Sequence, residues 1–250
     1  MYRDGFLCAL CGQVMGETAE TLARQYGIPR AEQDEFALRS QNRADAARAA
    51  GRFDDEIVPV EAPAGRGKVT ITADEHIRAN AVLADMAKLP PVFSKEGTVT
   101  AGNACGMTDG AAALVLADEA RVRERNLPVL AWLEDATVAG VDPAVMGLGP
   151  VPAVRKLLER GRSTLADYDL VELNEAFAAQ VLACDRELGF DPERLNVNGG
   201  AIALGHPIGA TGARIVVTLL HEMRRRNAPR GLATLCVSGG LGLAASFRRD

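Results

Sequence analysis

Several absences narrow this 250-residue sequence before any motif is considered. No apolar run approaches the roughly 20 residues that cross a bilayer, and the N-terminal FLCALCGQVM is too short and too poorly flanked for a signal peptide. Basic residues form no dominant block and the net charge is −5, which argues against nucleic acid as a partner. There are only three histidines, and the five cysteines read as scattered, without Cys-x-x-Cys pairs or histidine partners at metal-ligand spacing, so they are expected as reduced thiols, with neither zinc nor a disulfide framework. No short-period repeat is visible. A soluble, cytoplasmic protein is expected, with apolar content ample for one large domain or two modest ones.

Strands and helices expected along the chain alternate as in a layered α/β sandwich. Two helices open the chain, one from Met15 toward Gly27 and one over Arg30 to Ala50, the latter acidic early and basic late as the helix dipole favours. Taken alone, the second reads as a solvated amphipathic helix. Around a Pro/Gly break, Ile57–Ile71 predicts two short strands, and a short helix ending at Pro90-Pro91 follows. A strand is expected near Thr98, with a buried strand at Ala111–Ala117 and a helix at Glu119–Asn126. Beyond it the pattern predicts strand Val129–Val138, helix Val151–Arg160, strand Leu170–Leu173, helix Glu175–Leu188, strand Leu195–Val197 and helix Ile208–Arg226. The hairpin Leu232–Val237/Leu241–Phe247 closes the chain. In the Ile208 helix Ile215, Val216, Leu219, Leu220 and Met223 share a stripe, while Glu222 and His221 fall toward the polar side.

The chemistry-bearing residues cluster in Asn196–Ile215, where five glycines surround His206 and Pro207 follows it. Glycine there permits close backbone approach, and proline is preset for a first helical turn. His206 is therefore expected at a helix N-terminus, held neutral and suited to an oxyanionic ligand. The plain alternative is a satisfied turn histidine.

Two further stretches bear on that choice: Asn174-Glu175-Ala176-Phe177 after a strand, and Cys236-Val237-Ser238-Gly239-Gly240 near the C-terminus. In order and spacing with Gly205-His206-Pro207-Ile208-Gly209, they make the chain resemble the thiolase family, in particular its acetyl-CoA acetyltransferases. The resemblance implies a loop domain covering coenzyme A over residues 1–97, a remnant of the N-terminal domain over 98–128, and a C-terminal βαβαβαββ domain over 129–250. It implies a thioester Claisen condensation or thiolysis on acetoacetyl-CoA or another 3-ketoacyl-CoA, with CoA thioesters as substrates and no separate cofactor.

By the same resemblance Cys236 is the acid/base at the substrate α-carbon, His206 activates the nucleophile and faces the thioester oxygen, and Asn174 holds a water beside it. Asn174 is equally placed to cap the following helix. A thiol titrates at about 8.5, so Cys236 is expected to draw on nearby backbone amides to act as thiolate. Met15, Arg78, Met86, Leu89, Phe93, Ala101, Met146 and Phe177 fall where the family lines the CoA tunnel and acyl pocket. Cys105 stands where a serine often meets pantetheine, and Ser238 stands where the second oxyanion hole has glycine. Val14 replaces the histidine usual before Met-Gly in short-chain enzymes.

The family acylates a cysteine at a helix N-terminus, and none of Cys8, Cys11, Cys105, Cys184 or Cys236 has that context. Cys8 and Cys11 are given a structural or incidental role, and Cys184 a place in the core. The N-terminal segment bearing the nucleophile is thus expected to be lacking, and turnover to need it. A homo-oligomer, or a second chain supplying the missing half, is the partner expected; the alternative is a non-catalytic interaction protein pairing with an intact thiolase.

Overall fold

The computed structural model describes residues 2–65 and 67–250. After a π-helical turn come α1 (Met15–Gln25), α2 (Arg30–Ala49) and the antiparallel pair β1 (Val60–Ala64) and β2 (Gly67–Ile71), where the Pro/Gly break predicted two strands. Next are α3 (Leu83–Met86), α4 (Glu119–Arg125), β3 (Trp132–Gly140), α5 (Pro150–Gly161) and β4 (Leu170–Leu173). The chain then forms α6 (Ala178–Leu188), α7 (Ala201–Leu204), α8 (Thr211–Arg226), β5 (Arg230–Val237) and β6 (Leu241–Arg248).

The main sheet has the order β3-β6-β5-β4, with β4 parallel to β5 and the other pairs antiparallel. A parallel pair needs a crossover, and here it runs through α6, α7 and α8. Successive strand residues point to opposite faces, so two cores form. Val171, Leu173, Leu232 and Ala244 meet α5 and α6 on one face. On the other, Leu170, Ala233 and Phe247 meet the α8 stripe of Ile215, Leu219, Leu220 and Met223. Burying each such aliphatic side chain contributes about 1.5–3 kcal/mol. Where α5 begins, the backbones of Gly149 and Gly242 touch so closely that a Cβ on Gly242 would overlap the Gly149 carbonyl. The layered α/β sandwich is as predicted.

Local departures have physical reasons. Helix α2 is not merely solvated: it buries Gln33, Asp34, Ser40 and Gln41 beside Phe36, Ala37, Ala44 and Ala47, and the polar members bond across the fold. Thr98–Cys105 forms no strand, only bridges from Thr100 to Pro91 and from Ala104 to Phe177, because the Asn103 side chain bends the chain by accepting from Thr100 N at 2.8 Å. Ala111–Ala117 is not a buried strand either. No strand pairs with it among the described residues, and Val115 and Leu116 are 99% and 78% exposed. The expected strand Leu195–Val197 shrinks to bridges, one joining Leu195 to Val171. Asn196 takes a left-handed φ of 46°; its N–H still donates to Val171 O at 2.9 Å, and beyond it the carboxamide replaces backbone, pairing with Leu173 N and O at 2.9 and 2.8 Å.

Helix α6 begins three residues late, at Ala178, so Asn174 is not its cap. Residues 174–177 stay extended because Glu175 is drawn into a buried network and Ala178 N donates to Asn103 O at 2.9 Å. Helix α8 likewise begins at Thr211, after a turn in which Pro207 O accepts from Ala210 N and Thr211 N. On α8, Glu222 proves to be buried, accepting from Asn198 Nδ2 at 2.8 Å and pairing with Arg225 and Arg226, and His221 is half-buried. No helix among the described residues is long and apolar enough to cross a membrane.

Candidate active site

The candidate site lies at the carboxyl edge of the parallel pair, the usual place for ligands in open α/β sheets. Cys236 is the penultimate residue of β5. Asn174 directly follows β4, and its N–H continues the ladder by donating to Thr234 O at 3.0 Å. The two side chains are thus set by one pair of strands.

His206 reaches the same edge from the loop after α7. Its N–H donates to Gly106 O at 3.1 Å. The Thr211 hydroxyl donates to Pro207 O at 3.0 Å, so its lone pair accepts from His206 Nδ1–H at 2.6 Å. That fixes the tautomer: Nε2 carries the lone pair, and Asn174 Nδ2 lies 3.4 Å from it. Burial, and then the Arg214 guanidinium, push the imidazole down to about 4, so it is neutral at physiological pH. Neutrality was expected, but it comes from burial and a nearby cation, not from a helix N-terminus, since α8 starts five residues later. Asn174 is 1% exposed and its Oδ1 is a buried acceptor with no protein partner.

Cys236 corrects one expectation. Burial pushes its thiol up to about 12, and only its own amide opposes this. The thiol therefore rests protonated. Around it pack Met15, Met146, Phe177 and Cys8, with Phe93 and Cys11 against them, and Phe93 meets Phe177 edge-on at 6.0 Å and 85°. Cys105 borders this group: its N–H donates to Ala176 O at 3.0 Å, and burial and the Cys236 sulfur push its thiol up to about 12.

The remaining predicted contacts are dispersed. Met86 belongs to the main core, and with Leu89 it lies against Gly102, next to exposed Ala101. Arg78 is exposed; its N–H donates to Gln41 Oε1 at 2.9 Å, on the side of α2. Ser238 is exposed in the β5–β6 turn, where Gly239 and Gly240 take φ of 90° and 86°. Cys184 is fully buried, its thiol donating to Gly147 O at 3.1 Å, as a core role requires. Surface clefts of about 380, 240 and 360 Å³ lie along α2, between α2 and α8, and beside β3, and none is lined by His206, Asn174 or Cys236.

Beneath the site sits Glu175, 1% exposed, accepting from Ser40 Oγ at 2.6 Å, Asn196 Nδ2 at 2.9 Å and Ile202 N at 3.2 Å. It ties α2, the 196 loop and α7 to the strand that carries Asn174. Sequence reasoning missed this residue and Thr211, although Thr211 is five residues after His206. The expectation that the cysteines form no Cys-x-x-Cys pair is wrong, since Cys8-Ala9-Leu10-Cys11 is one. Among the described residues no group of three or more His, Cys, Asp or Glu could hold a metal ion.

Fold and site define a layered α/β protein with a histidine and an asparagine 3.4 Å apart at one strand end and a buried cysteine at the end of the adjoining strand. Two family models divide the chain: the thiolase N-terminal domain matches residues 1–120 and the thiolase C-terminal domain residues 127–249. Curated relatives called acetyl-CoA acetyltransferase are 55% identical in Rhizobium meliloti, over 100% of this chain and 63% of the relative, and 56% identical in Shinella zoogloeoides, over 98% and 62%. The crystal structure of the Bacillus anthracis acetyl-CoA acetyltransferase superposes with a TM-score of 0.95 at 51% identity, covering 97% of this chain and 62% of that one. The human mitochondrial 3-ketoacyl-CoA thiolase in complex with CoA gives 0.91 at 43%, covering 98% and 61%. The chain belongs to the thiolase family, and it spans about 63% of the length of the first of these relatives. Because the N-terminal model matches from residue 1 to 120, the expectation that this half is lacking is not borne out. Nothing in these likenesses supports the non-catalytic alternative.

Proposed function

We propose that this chain is a thiolase-type acyl-CoA C-acyltransferase of the acetyl-CoA acetyltransferase kind, acting on acetoacetyl-CoA or another 3-ketoacyl-CoA. Its residues supply the acid/base and oxyanion half of the reaction. The observation that carries this reading is the placement of Asn174 and Cys236 on adjoining strand ends, with His206 Nε2 3.4 Å from the Asn174 amide. A buried thiol raised to about 12 is a proton donor at rest. In thiolysis it would protonate the α-carbon of the departing acetyl-CoA enolate, and in condensation the resulting thiolate would take that proton back.

His206, neutral and with its lone pair on Nε2, would accept a proton from the attacking thiol there and then present Nε2–H to the thioester oxygen. The unpartnered Asn174 Oδ1 fits a water held beside that oxygen. The backbone N–H groups of the Ser238–Gly240 turn suit the second oxyanion. Met15, Phe93, Met146, Phe177 and Cys105 would shape the acyl and pantetheine channel, and Met86, Leu89, Ala101 and Arg78 its outer part. Within this reading residues 1–97 cover CoA, 98–128 belong to the N-terminal domain, and 129–250 form the C-terminal domain. A homo-oligomer or a second chain would be the partner.

The test is α-proton exchange. Acetyl-CoA incubated with the chain in deuterated water should lose its methyl proton signal, and Cys236→Ser should abolish this. Absence of both exchange and CoA-thioester binding would refute the reading.

A further inference from the structure

Cys8 and Cys11 stand three residues apart in a closed turn. Gly12 N donates to Cys8 O at 2.8 Å, Cys8 N donates to Gln13 O at 2.9 Å, and Leu7 bridges Val14. Such a turn brings the Cα atoms of its first and fourth residues within about 7 Å. A disulfide joins Cα atoms about 4.4–6.8 Å apart. The two thiols pack in one apolar group with Cys236, Met15, Met146 and Phe177. Cys8 is 1% exposed and Cys11 half-buried, so the pair reaches from solvent into the wall of the site. Leu10, between them, lies over Gly239 in the turn after Cys236.

The two sulfurs differ. Burial raises the Cys8 thiol, yet the amides of Cys11, Leu10 and Gly239 and the Cys11 thiol together outweigh it, and the net shift is downward. For Cys11 burial, with the Cys8 sulfur, outweighs the amides and the net shift is upward. An easily ionised thiol beside a protonated one is the pairing that suits oxidation followed by resolution.

We propose that Cys8 and Cys11 form a redox-active dithiol whose oxidation by hydrogen peroxide closes a disulfide in the wall of the candidate site and weakens CoA-thioester binding. The Cys8 thiolate attacks one peroxide oxygen; the O–O bond breaks, and the departing hydroxide gains a proton to become water, leaving a sulfenic acid. The Cys11 sulfur, losing its proton, attacks the Cys8 sulfur; the S–O bond breaks and the oxygen leaves as a second water. Two thiols lose two electrons and the peroxide takes them. Bonding Cys8 to Cys11 tightens the turn that carries Leu10, and so disturbs the contact of Leu10 with Gly239 in the turn following Cys236. This second effect rests on the proposed function, whereas disulfide formation does not.

The full chain is titrated with hydrogen peroxide, alkylated, digested and weighed, and acetyl-CoA binding is measured in parallel. The expected result is a peptide containing Cys8 and Cys11, unalkylated and lighter by the two thiol hydrogens, restored by dithiothreitol. Binding should weaken about five-fold or more on oxidation. Cys11→Ser should keep the affinity of the reduced protein and lose the response. Alkyl groups on both cysteines after peroxide, or a bond from Cys8 to Cys236 instead, would overturn the dithiol. A disulfide at 8–11 with unchanged affinity would overturn the coupling to the site, and failure of reduced protein to bind any CoA thioester would count against the proposed function alone.

Discussion

Asn174 Nδ2 lies 3.4 Å from His206 Nε2, while the other end of the same carboxamide, Oδ1, is buried without a protein partner. One side chain therefore meets the imidazole at one end and keeps a free acceptor at the other. Asn174→Ala should slow α-proton exchange from acetyl-CoA about 100-fold, the usual effect of losing one preoriented polar group at an oxyanion site. Exchange rates followed by proton NMR decide it, and a loss under three-fold would remove Asn174 from the reaction.

Thr211 fixes the histidine tautomer through its 2.6 Å contact with Nδ1. Thr211→Val keeps the shape and removes that acceptor, freeing Nδ1–H and the choice of tautomer. The rate of exchange should fall while acetyl-CoA affinity changes little. Thr211→Ser should recover most of the rate. Parallel kinetics and equilibrium binding separate this from a general loss of fold.

The Cys236 thiol, raised to about 12 by burial, should alkylate slowly with iodoacetamide at pH 8, more slowly than an exposed thiol titrating at about 8.5. Its labelling should climb roughly ten-fold for each pH unit above that, with no plateau before the protein unfolds. Peptide mass spectrometry over a pH series reads this directly. A plateau near pH 8 would mean that the thiolate is stabilised at rest.

Much of this was legible in the residues, and the reason differs by element. The stripe of Ile215, Leu219, Leu220 and Met223 states its own periodicity, and Leu170–Leu173 is a strand because four apolar-rich positions are buried on both faces. The nearness of His206 to Asn174, 3.4 Å apart, was expected from motif order, which composition alone does not carry. What stayed hidden depends on partners distant in sequence. Glu175 looked like a first-turn helix acid until Ser40, 135 residues away, claimed it. Ala111–Ala117 has the composition of a buried strand, yet strands exist by pairing and no neighbour pairs with it among the described residues. Burial also reversed the sign expected at Cys236, since amides near a sulfur lower its titration only where they outweigh desolvation.

Glu172 on β4 faces α8, with its carboxylate 3.9 Å from Arg214 Nη1, and burial pushes it up to about 8 although Arg214 opposes. A carboxyl raised on folding favours the native state while protonated. Its contribution is full below the unfolded value of about 4.3 and is lost as pH rises through about 8. Glu172→Gln should therefore flatten the fall in stability between pH 5 and pH 8, measured by urea unfolding. An unchanged slope would show that Glu172 ionises normally.

Gly242→Ala places a methyl group against the Gly149 carbonyl, where backbone meets backbone and no side chain can move aside. The cost should be about 3 kcal/mol, the upper part of the usual range for overpacking. Chemical denaturation of the variant checks it, and a loss under 0.5 kcal/mol would mean that α5 shifts freely.

The single ladder bond from Asn174 N to Thr234 O has a practical consequence for redesign. It locks the spacing of Asn174 and Cys236 into main chain, independent of any side chain nearby. Substitutions at Met15, Phe93 or Met146 can then reshape the apolar group around Cys236 while the two strand ends keep their registration. Repacking of that wall and preservation of the strand register are, in this architecture, separable engineering problems.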